Sequence, residues 1–326
     1  MHMSNHLLSP EVGVSMLALV GGISAYAVLK SRGVVDKPKV ALMASAGALV
    51  FAAQMINFTI PGTGSSGHIG GGILLAMLLG PYLGFLTMSS ILTVQCLFFA
   101  DGGLLALGAN IFNLGVFPCL VVYPLINKFL QRRHYSSNNI IWVSIVSVVI
   151  SITIGAASVT FETLMSGITA LNFKEFFMLM IPIHIAIGIV EGIITAGVLI
   201  PIYRLCPSAA YSLGKNEAIN KVPIRNIIGA ICISSLITSG GLSYFASSQP
   251  DGLEWSVMKV SGETEIVATG GIYNKLDQIQ GVTSFMPDYG LKGSEGSMAG
   301  GLAGVTGVLL TLGFTVIIGR GIKSYI

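Results

Sequence analysis

The chain has 326 residues, 53% hydrophobic and only 10% charged, with a mean hydropathy of +0.81. A soluble domain carries about 25% charged residues, so the composition excludes an ordinary soluble enzyme, and a net charge of +3 is too small to point to a nucleic-acid partner. Several apolar runs reach about 20 residues, enough to cross a bilayer core of about 30 Å; the expected fold is an all-α, polytopic membrane helical bundle.

The chain opens Met1-His2-Met3. The segment before Pro10 has neither a basic n-region nor a small-residue cleavage site, so no signal peptide is expected. A bulky second residue tends to protect Met1 from removal. His2 then offers three nitrogens to one metal ion: the terminal amine, the Met1–His2 peptide nitrogen and the imidazole. Amine and peptide nitrogen close a five-membered chelate ring, and peptide nitrogen with Nδ1 closes a six-membered one. A fourth nitrogen would complete a square plane, which suits Ni(II) or Cu(II).

Nine candidate spans follow, at 12–29, 41–57, 71–87, 87–100, 104–127, 140–165, 176–203, 226–246 and 299–319. Only Gly80-Pro81 and Gly84 punctuate 71–100, which fits either one broken helix or two short ones. With the N-terminus outside, 13 Lys and Arg fall on the cytoplasmic side and 4 (Lys174, Lys259, Lys275 and Lys292) on the other, as the positive-inside rule expects. An odd span count places the C-terminus inside. The spacing divides the chain into a seven-span domain (1–205), a polar cytoplasmic linker (206–225) and a two-span module (226–326). That module's external loop, 247–298, is acidic and of uncertain order, with Asp251, Glu254, Glu263, Glu265, Asp277, Asp288 and Glu295.

The run from Asn57 to Gly72 holds six glycines, which let backbone approach backbone closely. It follows the second span, on the same side as His2, and its His68 is the candidate fourth nitrogen. His6 is a nearby imidazole expected to be solvated, with entry ligand as the sharper reading. Within or beside spans lie Gln54, Asn57, Asn110, Asn113, His184 and Glu191. They can cross-link helices or orient His2 and His68; Glu191 is expected to pair with His184, seven residues earlier on one helix face. Asp101 is expected in a solvated turn. Ala44, Ala48 and Ala52 make a smooth stripe for close helix packing. Cys96, Cys119, Cys206 and Cys232 form no CxxC and are expected to be small core residues.

The opening Met1-His2-Met3, the run Phe51–Phe58, the loop Pro61–His68 and the stretch from Phe99-Ala100-Asp101-Gly102-Gly103 through Asn110 and Asn113 together resemble the NikM/CbiM family. These are the substrate-binding membrane components of energy-coupling factor (ECF) transporters for nickel and cobalt. The tail stretch Pro250-Asp251-Gly252-Leu253-Glu254-Trp255 resembles the small NikN/CbiN partner, so the chain is similar to a fused NikMN protein. The resemblance implies a metal site of the Met1 amine, the His2 amide and imidazole, and His68. It also implies an ECF coupling protein contacting the Ala44, Ala48, Ala52 face, two separate ATPase subunits, and a tail that governs metal access. Cobalt members open Met-His-Ile-Pro-Asp-Gly; Met1-His2-Met3-Ser4-Asn5-His6 departs from that and leans towards Ni(II), with Co(II) as the second ion. The setting implied is a prokaryotic cell membrane.

No GxxxxGK[ST] phosphate loop occurs in the sequence, so an ATPase would be another chain. Two alternatives stand beside this reading. Gly64-Ser65-Ser66-Gly67 fits the GxSG of rhomboid-like intramembrane serine proteases, with Ser66 as nucleophile and His184 as base. A self-sufficient secondary metal carrier is the other; Glu191 and Glu162 are the few acids in its spans.

Overall fold

The computed structural model describes residues 1–133, 136–205, 225–268, 270–290 and 297–324. The linker expected at 206–225, with Cys206, lies outside the described residues except for Arg225. Among the described residues, six helices are long and apolar enough to cross a membrane: α1 (Pro10–Ser31), α4 (Pro81–Phe99), α5 (Leu107–Phe129), α6 (Ser137–Ser166), α7 (Phe173–Arg204) and α11 (Gly300–Ser324). Between and after them run α2 (Lys37–Gln54), α3 (Gly72–Leu79), α8 (Arg225–Gly240), α9 (Gly252–Ser261) and α10 (Gly271–Thr283).

Local chemistry sets the starts. Ser9 and Asp36 accept hydrogen bonds from Val12 and Lys39, with a proline in the first turn of α1 and of α2, the pattern that caps orphan N–H groups. α1 is largely lipid-facing. Its buried Gly13, Val20 and Ala27 recur every seven residues and make the one face that meets the bundle. α2 is the opposite, buried over most of its surface, because its many Ala and Gly let neighbours approach closely. It packs against α11, α8 and α4. Ala44, Ala48 and Ala52 are fully inside. This corrects their expected role as an open face for a coupling subunit: the chain's own helices already cover it.

The 71–100 region divides at Gly80-Pro81, not near 87. Gly80 has φ +82°, which glycine tolerates, and Pro81 opens α4. A Cβ on Gly84 would meet the Ala76 backbone at 2.9 Å, so α4 folds back along α3. The eight residues of α3 span only about 12 Å, too short to cross a bilayer core alone. Inside α5, Pro118 donates no N–H, and the helix widens over Phe112–Val122.

One end of the bundle gathers the functional loops. The hairpin β1 (Phe58–Ile60) and β2 (Ser65–Gly67) pairs Phe58 with Gly67. Gly103 N–H donates to Met3 O, Ser247 N–H to Asn57 O, and Met286 N–H to Phe98 O. Arg204 donates to Ser137 Oγ at the other end. The tail loop expected to be of uncertain order instead forms α9 and α10 and lies on the N-terminal segment. Its start is a capping box in which Asp251 accepts from Leu253 and Glu254 N–H while Glu254 accepts from Asp251 N–H.

Gly71 has φ +79°, and a Cβ there would meet Val50 at 2.4 Å. Gly71→Ala is expected to destabilise the chain by about 2–4 kcal/mol through backbone strain and overpacking. Gly21→Ala, where nothing lies within 4 Å, is expected to change stability by less than about 0.5 kcal/mol. Thermal unfolding of the purified chain in detergent compares the two.

Candidate metal centre

The N-terminal segment is held in place by backbone recognition. Asn110 accepts from Met3 N–H at 2.8 Å and donates to Met3 O at 3.1 Å. Asn5 accepts from Leu105 N–H and donates to Asp277. These contacts bring the Met1 ammonium to His68, 2.7 Å from Nε2, and to Asp251 Oδ2, at 2.6 Å. An ammonium only donates, so Nε2 presents its lone pair to the amine. Nδ1–H then faces Ile69 O at 3.3 Å, the arrangement that orients a metal-ligating imidazole. His2 stacks on His68, with ring centroids 5.1 Å apart and planes within 8°.

His2 Nδ1 faces Asp101 Oδ1 at 3.1 Å, which corrects the expectation of a solvated Asp101. His2 Nε2 is buried and has no hydrogen-bond partner. Asp101 also accepts from the Tyr289 hydroxyl. Gln95 donates to Tyr289 and to Gln54 Oε1, and Gln54 donates to Gly70 O. A chain of polar contacts thus joins the loop that carries His68 to the residue that holds His2.

Burial works against the charge on Asp251, yet the terminal ammonium and His68 hold it well below the ordinary carboxylate range. Burial likewise opposes Asp101, and His2 with the Tyr289 hydroxyl overcomes it in the same direction. Burial, then the ammonium charge, push His68 below its ordinary value. Partial burial, then repulsion by Asp101 and Glu265, push Asp288 up. Glu254 is raised by partial burial and then by Asp251.

Other expected residues stand further off. Glu191 accepts from Gly70 and Gly71 N–H at 2.7 and 2.8 Å, and His184 Nδ1–H donates to Met180 O. The expected Glu191–His184 pair is therefore corrected: each is satisfied by backbone. Glu191 still acts on the site loop through Gly70. Asn113 donates to Glu162, and Asn57 joins the tail by its backbone carbonyl; neither side chain contacts His2 or His68. His6 is not solvated as expected: Ala268 N–H donates to Nδ1, and Nε2 faces Asp277. Ser66 Oγ donates to Gln249 O, and Ser66 N–H to Pro250 O. Ser66 and His184 thus each have other partners, and the geometry carries no nucleophile–base pair. Cys96, Cys119 and Cys232 are free. Sequence reasoning gave no site role to Asp251, Gln95 or Tyr289. The capping pattern at Asp251 was the one available signal.

Among the described residues no three His, Cys, Asp or Glu side chains gather as a metal cage. Any metal here would have to use backbone nitrogen. Two cavities lie at this end, and His2 lines the larger. One, of about 220 Å³, is lined by His2, His6, Asp101, Glu254, Asp277 and Asp288 among others. The second, about 20 Å³, touches Met1, His68, His184 and Asp251.

The chain is thus a membrane helical bundle with an N-terminal amine and two imidazoles together at one end, under a docked tail. Residues 2–209 match the CbiM family, described as the cobalt uptake substrate-specific transmembrane region, and residues 225–324 match the PDGLE domain. The chain belongs to the CbiM family, in the form that carries a PDGLE tail. A relative from Archaeoglobus fulgidus, named as a fused nickel transport protein NikMN, is 30% identical over 97% of this chain and 98% of its own. The cobalt transport protein CbiM of Sorangium cellulosum is 29% identical over 50% of this chain and 71% of its own. The crystal structure of a transition metal transporter superposes with a TM-score of 0.56 at 28% identity, covering 63% of this chain and 93% of that one.

The pKa directions carry a sign. His68 is held below the ordinary imidazole value of about 6.5, so the unfolded chain takes its proton first. The contribution of His68 to stability is complete above that pH and is lost as pH falls below it. Asp101 and Asp251 contribute above the ordinary carboxylate value of about 3.9 and lose their share only below it. The thermal midpoint is expected to decline between about pH 6.5 and 5, and to decline less in His68→Gln. Equal declines in the two proteins would remove His68 from this account.

Proposed function

We propose that the chain is the substrate-capturing component of a nickel and cobalt uptake system, and that binding, not catalysis, is its role. The ligands are the Met1 amine, the His2 amide nitrogen and imidazole Nδ1, and His68 Nε2. The observation that carries this reading is the 2.7 Å between the Met1 nitrogen and His68 Nε2. Two neighbouring nitrogens of a square plane, each about 2 Å from the metal, sit about 2.8 Å apart. The amine and imidazole are therefore already spaced as adjacent ligands. A four-nitrogen plane favours Ni(II), and Co(II) is the second substrate. Nδ1 faces Asp101, so chelation requires the His2 ring to turn away from it. Binding expels protons from amine and amide.

The wider reading follows the same family. The 13-to-4 split of basic residues favours an N-terminus outside and a C-terminus inside a prokaryotic cell membrane, with metal arriving from outside. Residues 1–205 form the capturing domain, 206–225 the linker and 226–326 the tail module. The names of the relatives support metal transport rather than an enzyme. ATP-driven uptake then needs an ECF coupling protein and two ATPase subunits as separate chains. The buried Ala44, Ala48 and Ala52 leave the coupling protein another face to contact.

Metal analysis by mass spectrometry tests the reading. About one nickel per wild-type chain is expected, with loss in His2→Ala and retention in Ser66→Ala; no stoichiometric nickel or cobalt in wild type would end it. One residue added ahead of Met1 moves the amine out of the chelate and is expected to weaken Ni(II) binding by more than about 100-fold. Unchanged affinity would remove the amine from the ligand set.

A further inference from the structure

The 220 Å³ cavity carries an inference that rests on the nitrogen-site reading and extends it outward. Its lining holds five carboxylates, Asp101, Glu254, Glu265, Asp277 and Asp288, and neither Lys nor Arg. Glu254, Glu265 and Asp288 are exposed. Glu265 and Asp288 have no side-chain hydrogen bond or ion pair among the described residues. His2 lines it too; its side chain is only 8% exposed, and its Nε2 is buried without a partner. A carboxylate cluster alone would be unremarkable as a solvated surface. The buried His2 ring on the same lining, with one nitrogen that has no partner, is the second observation.

Size separates the two cavities. Six waters at about 30 Å³ each occupy about 180 Å³, so the outer cavity of about 220 Å³ admits a divalent ion with its full water shell. The inner one, about 20 Å³, has room for a single water or a bare ion. His2 lines the outer cavity and stacks on His68, which lines the inner one. His2 thus stands on the wall of an anionic space, its ring against an imidazole that borders a tight, mostly apolar one.

We propose that the outer cavity is a receiving chamber for the hydrated divalent cation, where Glu254, Glu265, Asp277, Asp288 and Asp101 hold the ion through its water shell before it passes His2. Carboxylates lining a cleft concentrate cations and raise association rates without any need for tight binding. The four outer acids belong to the tail module, so the tail supplies the approach while the N-terminus supplies the ligands.

The test is the association rate of radioactive Ni(II) with the purified full chain, and dissociation into excess chelator. The variant E254Q/E265Q/D288N removes three charges and preserves local structure. Gln fills the capping-box position of Glu254, Asn tolerates the positive φ of Asp288, and Glu265 has no partner to lose. Association at low ionic strength is expected to fall about tenfold, with dissociation unchanged. The wild-type rate is expected to drop towards that of the variant in about 0.5 M salt, where charges are screened within a few ångströms. E254D/E265D, which keeps the charge, is expected to keep the wild-type rate. A wild-type association rate indifferent to salt, or equal rates for wild type and the triple variant, overturns the chamber. A second readout separates this from failure of the nitrogen site. Mn(II) prefers oxygen ligands, and its electron paramagnetic resonance signal is expected to be attenuated by His2→Ala but not by His2→Ala with the three added substitutions. Wild type without bound nickel would sink the nitrogen site alone; absence of Mn(II) binding to His2→Ala would sink the chamber.

Discussion

The Met1 ammonium sits between His68 Nε2 at 2.7 Å and Asp251 Oδ2 at 2.6 Å, and the rest of the site end is arranged around that contact. A buried ammonium without a carboxylate is costly, and a buried carboxylate without a cation equally so. Each therefore requires the other to be inside. The ammonium comes from the first residue and the carboxylate from the tail, 250 positions later, so the pair ties both modules to one point. Asp251 also caps α9. A single side chain thus starts a helix and closes the site.

Around this pair the protein spends backbone groups where a soluble metal site would spend side chains. Asn110 grips Met3 by both main-chain groups. Glu191 holds two successive N–H groups ahead of α3, and Gln54 holds Gly70 O. The reason is geometric. A metal site on the proposed terminal amine and peptide nitrogen would have to fix main chain, and side-chain amides and carboxylates have the complementary donors and acceptors. Pro250 and Gln249 extend the logic by accepting from Ser66, and Trp255 Nε1–H donates to Thr63 O. The tail is docked onto the His68 hairpin by the same kind of bond.

Six of the nine expected spans are legible as long apolar helices, because bilayer thickness sets a length and lipid sets a composition. The Met1-His2 start and the glycine-rich loop of His68 are legible because they are local in the chain. Long-range pairing is not. Nothing in the spacing of Asp101 says that it meets His2, or that Tyr289 from the tail holds its other oxygen. Asp251 is one acid among several in a polar loop until folding brings Met1 to it. His184 and Glu191 share a face at seven residues' spacing, but backbone N–H and C=O groups compete for them and win. The alanine stripe of α2 fails as a signal for another reason. Small residues permit close approach from any helix, and here the stripe is buried within the chain, on a helix that packs against α8, α11 and α4.

Fusion of the PDGLE tail to the CbiM-family region has an energetic consequence. A separate partner would lose translational and rotational freedom on docking, a cost of several kcal/mol. Covalent attachment replaces that loss with an effective concentration on the order of millimolar. The tail's α8 and α11 are packed on α2, so the contact of its loop with the site end, built from the Asp251 pair, the Ser66 and Trp255 bonds and the His6–Asp277 contact, can be modest and still hold. A modest surface is also one that can open. The bonds that close the tail over Met1 are polar, exchangeable with water and centred on the amine that a metal would claim. Release of Asp251 and exposure of the amine are therefore one event, so the chemistry that would bind the ion also loosens the segment that covers it.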